Sequence, residues 1–367
     1  MNLSNYFQLL LKDTSTSYKF LFLNAIIDRV NATDERLLSL DDLIIDMLVT
    51  AWYPNQFFKL SFGKQDQIGN LFLSQNFKYK KKISLTSLGF RDKLRQEIVE
   101  SVDVKQVRNK LSQFVQYRLL SPFFSQQLRG QKESSKNNII YELAINEFDS
   151  LIPLYKIDKS INAIEIHPQW FNYIKQHYSL LFNYIKIEWA TYLQKNNPAV
   201  PSIMLKLEPP GSRSSLNSQL TFWNSYFTAN QDARCIYTGE PLIEIKTSLD
   251  HFLPWSFVCH DRLWNLVPVS RSSNSSKSNS LPCLKTYLDK FLEIQYDALK
   301  YNKSIMENQK WNSYAQPYLT DLELSNDSEL ANPNRFAAEL AKVVENQHWI
   351  AKHSGFDYGW KEKIIEF

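Results

Sequence analysis

Glycine is scarce in this chain, with eight residues in 367, and cysteine scarcer still, with three. Few Gly beside many Phe, Tyr, Leu and Ile favour a mostly helical protein packed by large side chains. Cys235, Cys259 and Cys283 form no CxxC pair and no disulfide framework, which fits a reducing cytosol. No apolar run reaches the roughly 18 residues that a membrane span requires. The opening "MNLSNYFQLLLKD" has neither a basic n-region nor a small-residue cleavage site, so a signal peptide is not expected and a cytoplasmic location is. There is no internal repeat. Charge of one sign is also weak: the net value is +4 with a pI near 8.7. That balance demands no nucleic-acid partner and is compatible with one where Lys and Arg concentrate.

What the chain does have is amphipathic pattern. With 44% hydrophobic and 22% charged residues it is globular and long enough for one large domain or two to three smaller ones. "SYKFLFLNAIIDRV" (17–30) is apolar around nearly its whole helical circumference, as in a buried helix. "SLDDLIIDMLVTAWY" (39–53) starts with a Ser cap and an acidic first turn, then becomes apolar. Residues 91–102 and 105–120 read as amphipathic helices, and the Lys-rich run 78–84 as a solvated connector. Alternation in "IIYELAI" (139–145) and "INAIEIH" (161–167) predicts two strands. A long aromatic helix follows from Pro168, a favoured first-turn residue, to Asn197. "LEPPGSRSSL" (207–216) carries the strongest linker signature. Further helices are expected over 216–227, 281–301 and 335–353.

The segment 247–279, "TSLDHFLPWSFVCHDRLWNLVPVSRSSNSSKSN", fits no helical or strand period along its length. "PLIEIKTSLDH" reads as a strand ending in Asp250 and His251, and "LWNLVPV" as a second strand carrying Asn265. "SSNSSKS" then supplies a helix cap at Ser272 or Ser273, with Asn274 in the first turn. Two strand ends and a helix start can converge on one point. Asp250 and the amide oxygen of Asn274 are hard oxygen ligands suited to Mg²⁺ or Mn²⁺, incomplete without water or phosphate. His251, next in sequence on a strand, projects the opposite way and is free to act as a general base. An Asn265 carbonyl on the paired strand can hold the imidazole N–H. Lys277, one turn past Asn274, can reach a phosphate, and Arg234, Arg262 and Arg271 are candidate phosphate contacts. His260, His167 and His177 are read as solvated or structural, and His348 and His353 as surface residues.

Asp250-His251-x-x-Pro254, then Trp264-Asn265-Leu266, then Asn274-x-x-Lys277-Ser278 closely resembles the HNH (ββα-metal) endonucleases, a family that includes restriction and homing enzymes and bacterial nuclease toxins. The resemblance covers about an eighth of the chain. It implies that His251 is the general base, that Asn265 supports it, and that Asp250 and Asn274 bind one divalent metal ion, Asn274 standing where many members have His. Many members also carry two CxxC pairs that bind structural zinc. Here Cys235 is followed by Thr238, and Ser270 and Ser273 occupy the second pair's place, so no structural zinc is expected.

The expected fold class is therefore α+β, mainly helical, with a ββα nuclease module at 231–300 between a helical region at 1–230, for recognition, partner binding or regulation, and a helical C-terminal region at 301–367. The expected activity is metal-dependent hydrolysis of nucleic acid, most naturally DNA, in a restriction-like or anti-phage setting with a protein partner and no membrane. Two other readings stand beside it: a catalytically idle nucleic-acid-binding or scaffold subunit, and a toxin nuclease acting on RNA.

Overall fold

The computed structural model describes residues 2–12, 14–74, 89–209 and 215–362. The Lys-rich run 78–84 lies outside the described residues, as does the centre of the linker at 207–216. The chain divides into two compact units, Met1–Pro198 with Ile203–Gly211, and Ala199–Ser202 with Ser212–Phe367. The fold is mainly helical with two small sheets.

In the first unit α1 (Leu3–Leu10) and α2 (Tyr18–Ala32) precede a short strand β1 (Leu37–Ser39) and α3 (Leu40–Trp52). Ser39 caps α3 by accepting the Asp42 N–H, and Asp41 and Asp42 face the helix's positive end. The chain continues through α4 (Ile68–Ser74), α5 (Phe90–Ser101), α6 (Val104–Arg118), α7 (Glu133–Asn146) and α8 (Phe148–Leu151). Strands β2 (Tyr155–Asp158) and β3 (Ala163–Ile166) form a hairpin, with β1 antiparallel on the other edge of β3. The unit closes with α9 (Pro168–Asn196), bent at His177, where φ is −118° and ψ 16°. Its core is the face shared by α2, α3 and α9, with Phe22, Ile26, Leu43, Ile44, Ile185 and Trp189 buried.

One strand expectation is overturned: "IIYELAI" is the C-terminal half of α7, not a strand. The helix starts at Glu133 within the polar stretch, so the alternation is embedded in a longer period. Ile140 and Ala144, four apart, are the buried pair, while Ile145 is exposed. His167 is structural, its Nδ1 capping α9 at the Gln169 N–H.

The second unit holds α10 (Asn217–Ala229), β4 (Thr247–His251), α11 (Trp255–Val258), β5 (Leu266–Ser270), α12 (Arg271–Lys277), α13 (Leu284–Ile305), α14 (Asn308–Asp321), α15 (Asp327–Leu330) and α16 (Pro333–His353). β4 and β5 are antiparallel, with His251 opposite Leu266 and Asp250 opposite Val267. "PLIEIK" does not extend β4. It forms a turn, and the ladder with β5 ends at the Thr247–Ser270 pair, followed only by the Arg271 N–H bond to the Lys246 carbonyl at 2.9 Å. "LWN" is a 3-10 turn (Leu263–Asn265) that delivers the chain into β5.

Helix α13 braces this turn from behind. The Gln295 side chain donates to the Leu266 carbonyl at 2.7 Å and is fixed by the Tyr318 hydroxyl of α14 at 2.8 Å. Phe252, just after β4, stacks on Phe291 of α13 with ring centroids 4.0 Å apart. Burying one such ring contributes about 1.5–3 kcal/mol. The C-terminal helices therefore supply the core that the two strands alone lack.

Candidate active site

Strand geometry sends adjacent side chains to opposite faces, and that rule separates the two central residues of β4. Asp250 turns toward α12. Its Oδ1 and Oδ2 lie 3.1 and 3.0 Å from Lys277 Nζ, and Oδ2 also accepts the Tyr237 hydroxyl at 2.8 Å. Lys277 additionally donates to the His251 carbonyl at 2.8 Å and is wholly buried. Tyr237 sits edge-on to Tyr287 and Trp360. Burial, followed by the adjacent Asp250 charge, pushes its phenol well above 10 and keeps it a donor.

Lys277 thus does not reach outward to a phosphate. Asn274 and Lys277, three apart, share the helix face that meets β4, so the ammonium meets Asp250. The cap of α12 is Ser270, not Ser272 or Ser273: its Oγ accepts the Ser273 N–H at 3.1 Å and lies 2.6 Å from Ser273 Oγ. This cap fixes the start of a seven-residue, Ser-rich helix of poor intrinsic propensity. Asn274 is anchored by Nδ2, which donates to Ser248 Oγ at 2.9 Å and the Leu249 carbonyl at 3.2 Å. Its Oδ1 makes no hydrogen bond among the described residues.

His251 turns to the other face, where Nε2 lies 2.8 Å from Asp261 Oδ1. The Asn265 amide does not hold the imidazole. Its Oδ1 accepts the Leu253 N–H at 2.8 Å and its Nδ2 donates to the Leu253 carbonyl at 2.9 Å, while the Asn265 carbonyl accepts the Phe252 N–H. Both ends of a fully buried amide are spent on the backbone that leaves His251, so Asn265 fixes the bend after β4. The sequence reading missed Asp261. It lies in a loop with no periodicity, ten residues beyond its partner, and no local pattern marks such a pairing.

His260 is half-buried, edge-on to Trp264, and accepts the Arg262 N–H at Nδ1. Burial pushes its imidazole down to about 4, with nearby Asp321 opposing, so it is neutral at pH 7. Arg262 pairs with Asp321 at 3.2 Å, Arg271 is exposed at the start of α12 and donates to the Thr247 carbonyl, and Arg234 donates to the Gly239 carbonyl.

Cys235, buried, lies in a turn closed by main-chain bonds, Cys235 N–H to Glu240 carbonyl at 2.9 Å and Gly239 N–H to Cys235 carbonyl at 2.8 Å. Gly239 takes φ +78°, a conformation that favours glycine. Among the described residues no group of three or more His, Cys, Asp or Glu side chains is arranged to hold a metal ion. The donor chemistry of Asp250 and Asn274 nevertheless fits a hard divalent cation. Among the described residues Asn274 Oδ1 makes no hydrogen bond, and the carboxylate, which offers about four acceptor positions, has three engaged. Two protein oxygens with water and phosphate completing the shell is an arrangement Mg²⁺ favours.

Residues 235–283 match the family model described as HNH endonuclease. The chain carries an HNH endonuclease domain over that segment, which contains every residue of the β4–β5–α12 constellation. No curated protein and no solved structure matches the chain. Among the described residues no helix is long and apolar enough to cross a membrane.

Proposed function

We propose that the protein is a metal-dependent endonuclease that hydrolyses phosphodiester bonds in DNA, with His251 as its general base. The reading rests on one observation: within a segment matching the HNH endonucleases, an imidazole bonded to a carboxylate and a buried aspartate stand next to each other on one strand, and the helix packed on that strand carries Asn274. His251 takes a proton from water, and the resulting hydroxide attacks phosphorus as the bond to the 3′-oxygen breaks. Asp250 and Asn274 would hold Mg²⁺ or Mn²⁺, which supplies positive charge to oxygens that become more negative in the transition state. Asn265 keeps His251 in place through the Leu253 backbone. Arg271, exposed beside the strand end, is assigned to a backbone phosphate, and Arg234 and Arg262 to flanking ones.

A restriction-like or anti-phage setting, with a partner protein engaged by the N-terminal region, is proposed on family likeness. The engagement of Asp250 by Lys277 and Tyr237 favours a second reading, an idle domain that binds nucleic acid without cutting it. Plasmid DNA, single-stranded DNA and RNA incubated with the protein, with and without Mg²⁺, separate these. Metal-dependent cutting of DNA supports the first reading. Cutting of RNA alone replaces DNA with an RNA substrate, as in toxin nucleases. No cutting, with Mg²⁺ binding detected by calorimetry, establishes the idle domain.

A further inference from the structure

Among the described residues the His251 imidazole has one side-chain hydrogen-bond partner, which the sequence pattern did not supply, and that partner is a carboxylate. An ionised carboxylate only accepts, so at a 2.8 Å separation His251 Nε2 carries the hydrogen and Nδ1 is left as the basic nitrogen. Asn265 is not a competitor for the ring, because both ends of its amide are bonded to Leu253.

The loop that carries Asp261 is built independently of His251. The Gln219 side chain of α10 donates to the Asp261 carbonyl at 3.1 Å. One residue on, Arg262 pairs with Asp321, and the Trp264 indole donates to the same Asp321 carboxylate at 2.7 Å. The Asn265 N–H closes the turn on the Arg262 carbonyl at 3.0 Å. Anchors on α10 and α14 therefore present the carboxylate to the ring. The pair is also sheltered, with side chains 10% and 20% exposed, which strengthens a charge-assisted bond relative to one in water.

We infer that Asp261 is the positioning residue of the proposed base: it fixes the tautomer of His251, aims Nδ1, and stabilises the imidazolium formed once a water proton has moved to Nδ1. The proton stays on the imidazole through attack, and the carboxylate remains ionised. This inference deepens the nuclease reading and rests on it.

Two measurements on the full-length protein test it. In metal-free protein labelled with ¹⁵N-histidine, His251 should show an N–H-type Nε2, a lone-pair-type Nδ1 and a downfield Nε2–H proton protected from exchange. Asp261→Asn, which keeps shape and removes charge, should move that proton upfield, and Asp261→Ala should abolish its protection. In cleavage assays with Mg²⁺ both variants should lower kcat by about 10- to 100-fold, the Ala variant more, while KM for DNA and calorimetric affinity for Mg²⁺ stay unchanged. Wild-type His251 protonated at Nδ1 instead, or a proton resonance indifferent to both substitutions, overturns the pairing. Unchanged kcat in both variants overturns the positioning role. A wild-type protein that cuts no nucleic acid overturns the nuclease reading itself, and the resonance then decides the pairing separately. Should Asp261→Ala not fold, the isosteric Asn variant carries both readouts.

Discussion

Each unit of this protein buries an aspartate, and the two are held in opposite ways. Asp66, in the N-terminal unit, accepts the Ser17 N–H at 2.9 Å and the Ile68 N–H at 3.0 Å. Burial outweighs those two bonds and pushes its carboxyl up to about 6. Asp250, in the other unit, is buried against a full ammonium and a phenol. The first is a tie between loop backbones, and Ser17 extends it by accepting the Trp189 indole N–H. The second precedes His251 on β4, and α12, which supplies its Lys277 partner, also carries Asn274. Burial alone therefore does not decide how a carboxylate is held. What distinguishes Asp250 is the neighbouring chemistry and a compensating charge that a cation could share or displace.

The sharpest way to break this contrast is to remove the compensating charge. Lys277→Met should destabilise the fold by about 3–5 kcal/mol, because an uncompensated carboxylate remains buried, and urea denaturation at pH 7 reads it. Adding Asp250→Asn should recover part of that loss, a coupling that independent sites do not show.

Asp66 should behave in the opposite sense. Its folded value lies above the ordinary 3.8, so its contribution to stability is full below about pH 4 and is lost as pH rises through about 6. Over that window the wild type should lose about 3 kcal/mol on this account. Asp66→Asn should flatten the slope, as denaturation midpoints taken at pH 4, 5, 6 and 7 would report.

Asn265→Ala strands a buried N–H and carbonyl of Leu253 and should cost about 2 kcal/mol. Cleavage should fall as well, since the bend that presents His251 loosens. Smallest is Arg271→Ala, an exposed position where stability should change by less than about 0.5 kcal/mol. If Arg271 contacts a phosphate, the salt-dependence slope of DNA binding should fall by about one.

The uneven legibility of the sequence follows the same division. Helices were visible because their apolar patterns and end signals are local: α2, α3, α9 and α16 lie close to where the sequence predicts them. The order Asp250, His251, Asn265, Asn274 was visible because an order of residue types along a chain needs no fold to be read. Contacts were not. That Lys277 turns inward depends on the face α12 offers β4, and that Asp261 meets His251 depends on anchors from α10 and α14. The period-2 reading of 139–145 failed because seven residues of alternation cannot be told from the end of a helix whose polar first turns resemble a loop.

The central claim is that His251 is the general base of a nuclease, and one comparison tests it most directly. Wild-type protein and His251→Ala are assayed side by side on duplex DNA with Mg²⁺, with calorimetry confirming that both bind the metal. Cleavage should fall by about 10²- to 10⁴-fold in the variant while metal affinity is retained. Equal cleavage by the two proteins would contradict the account.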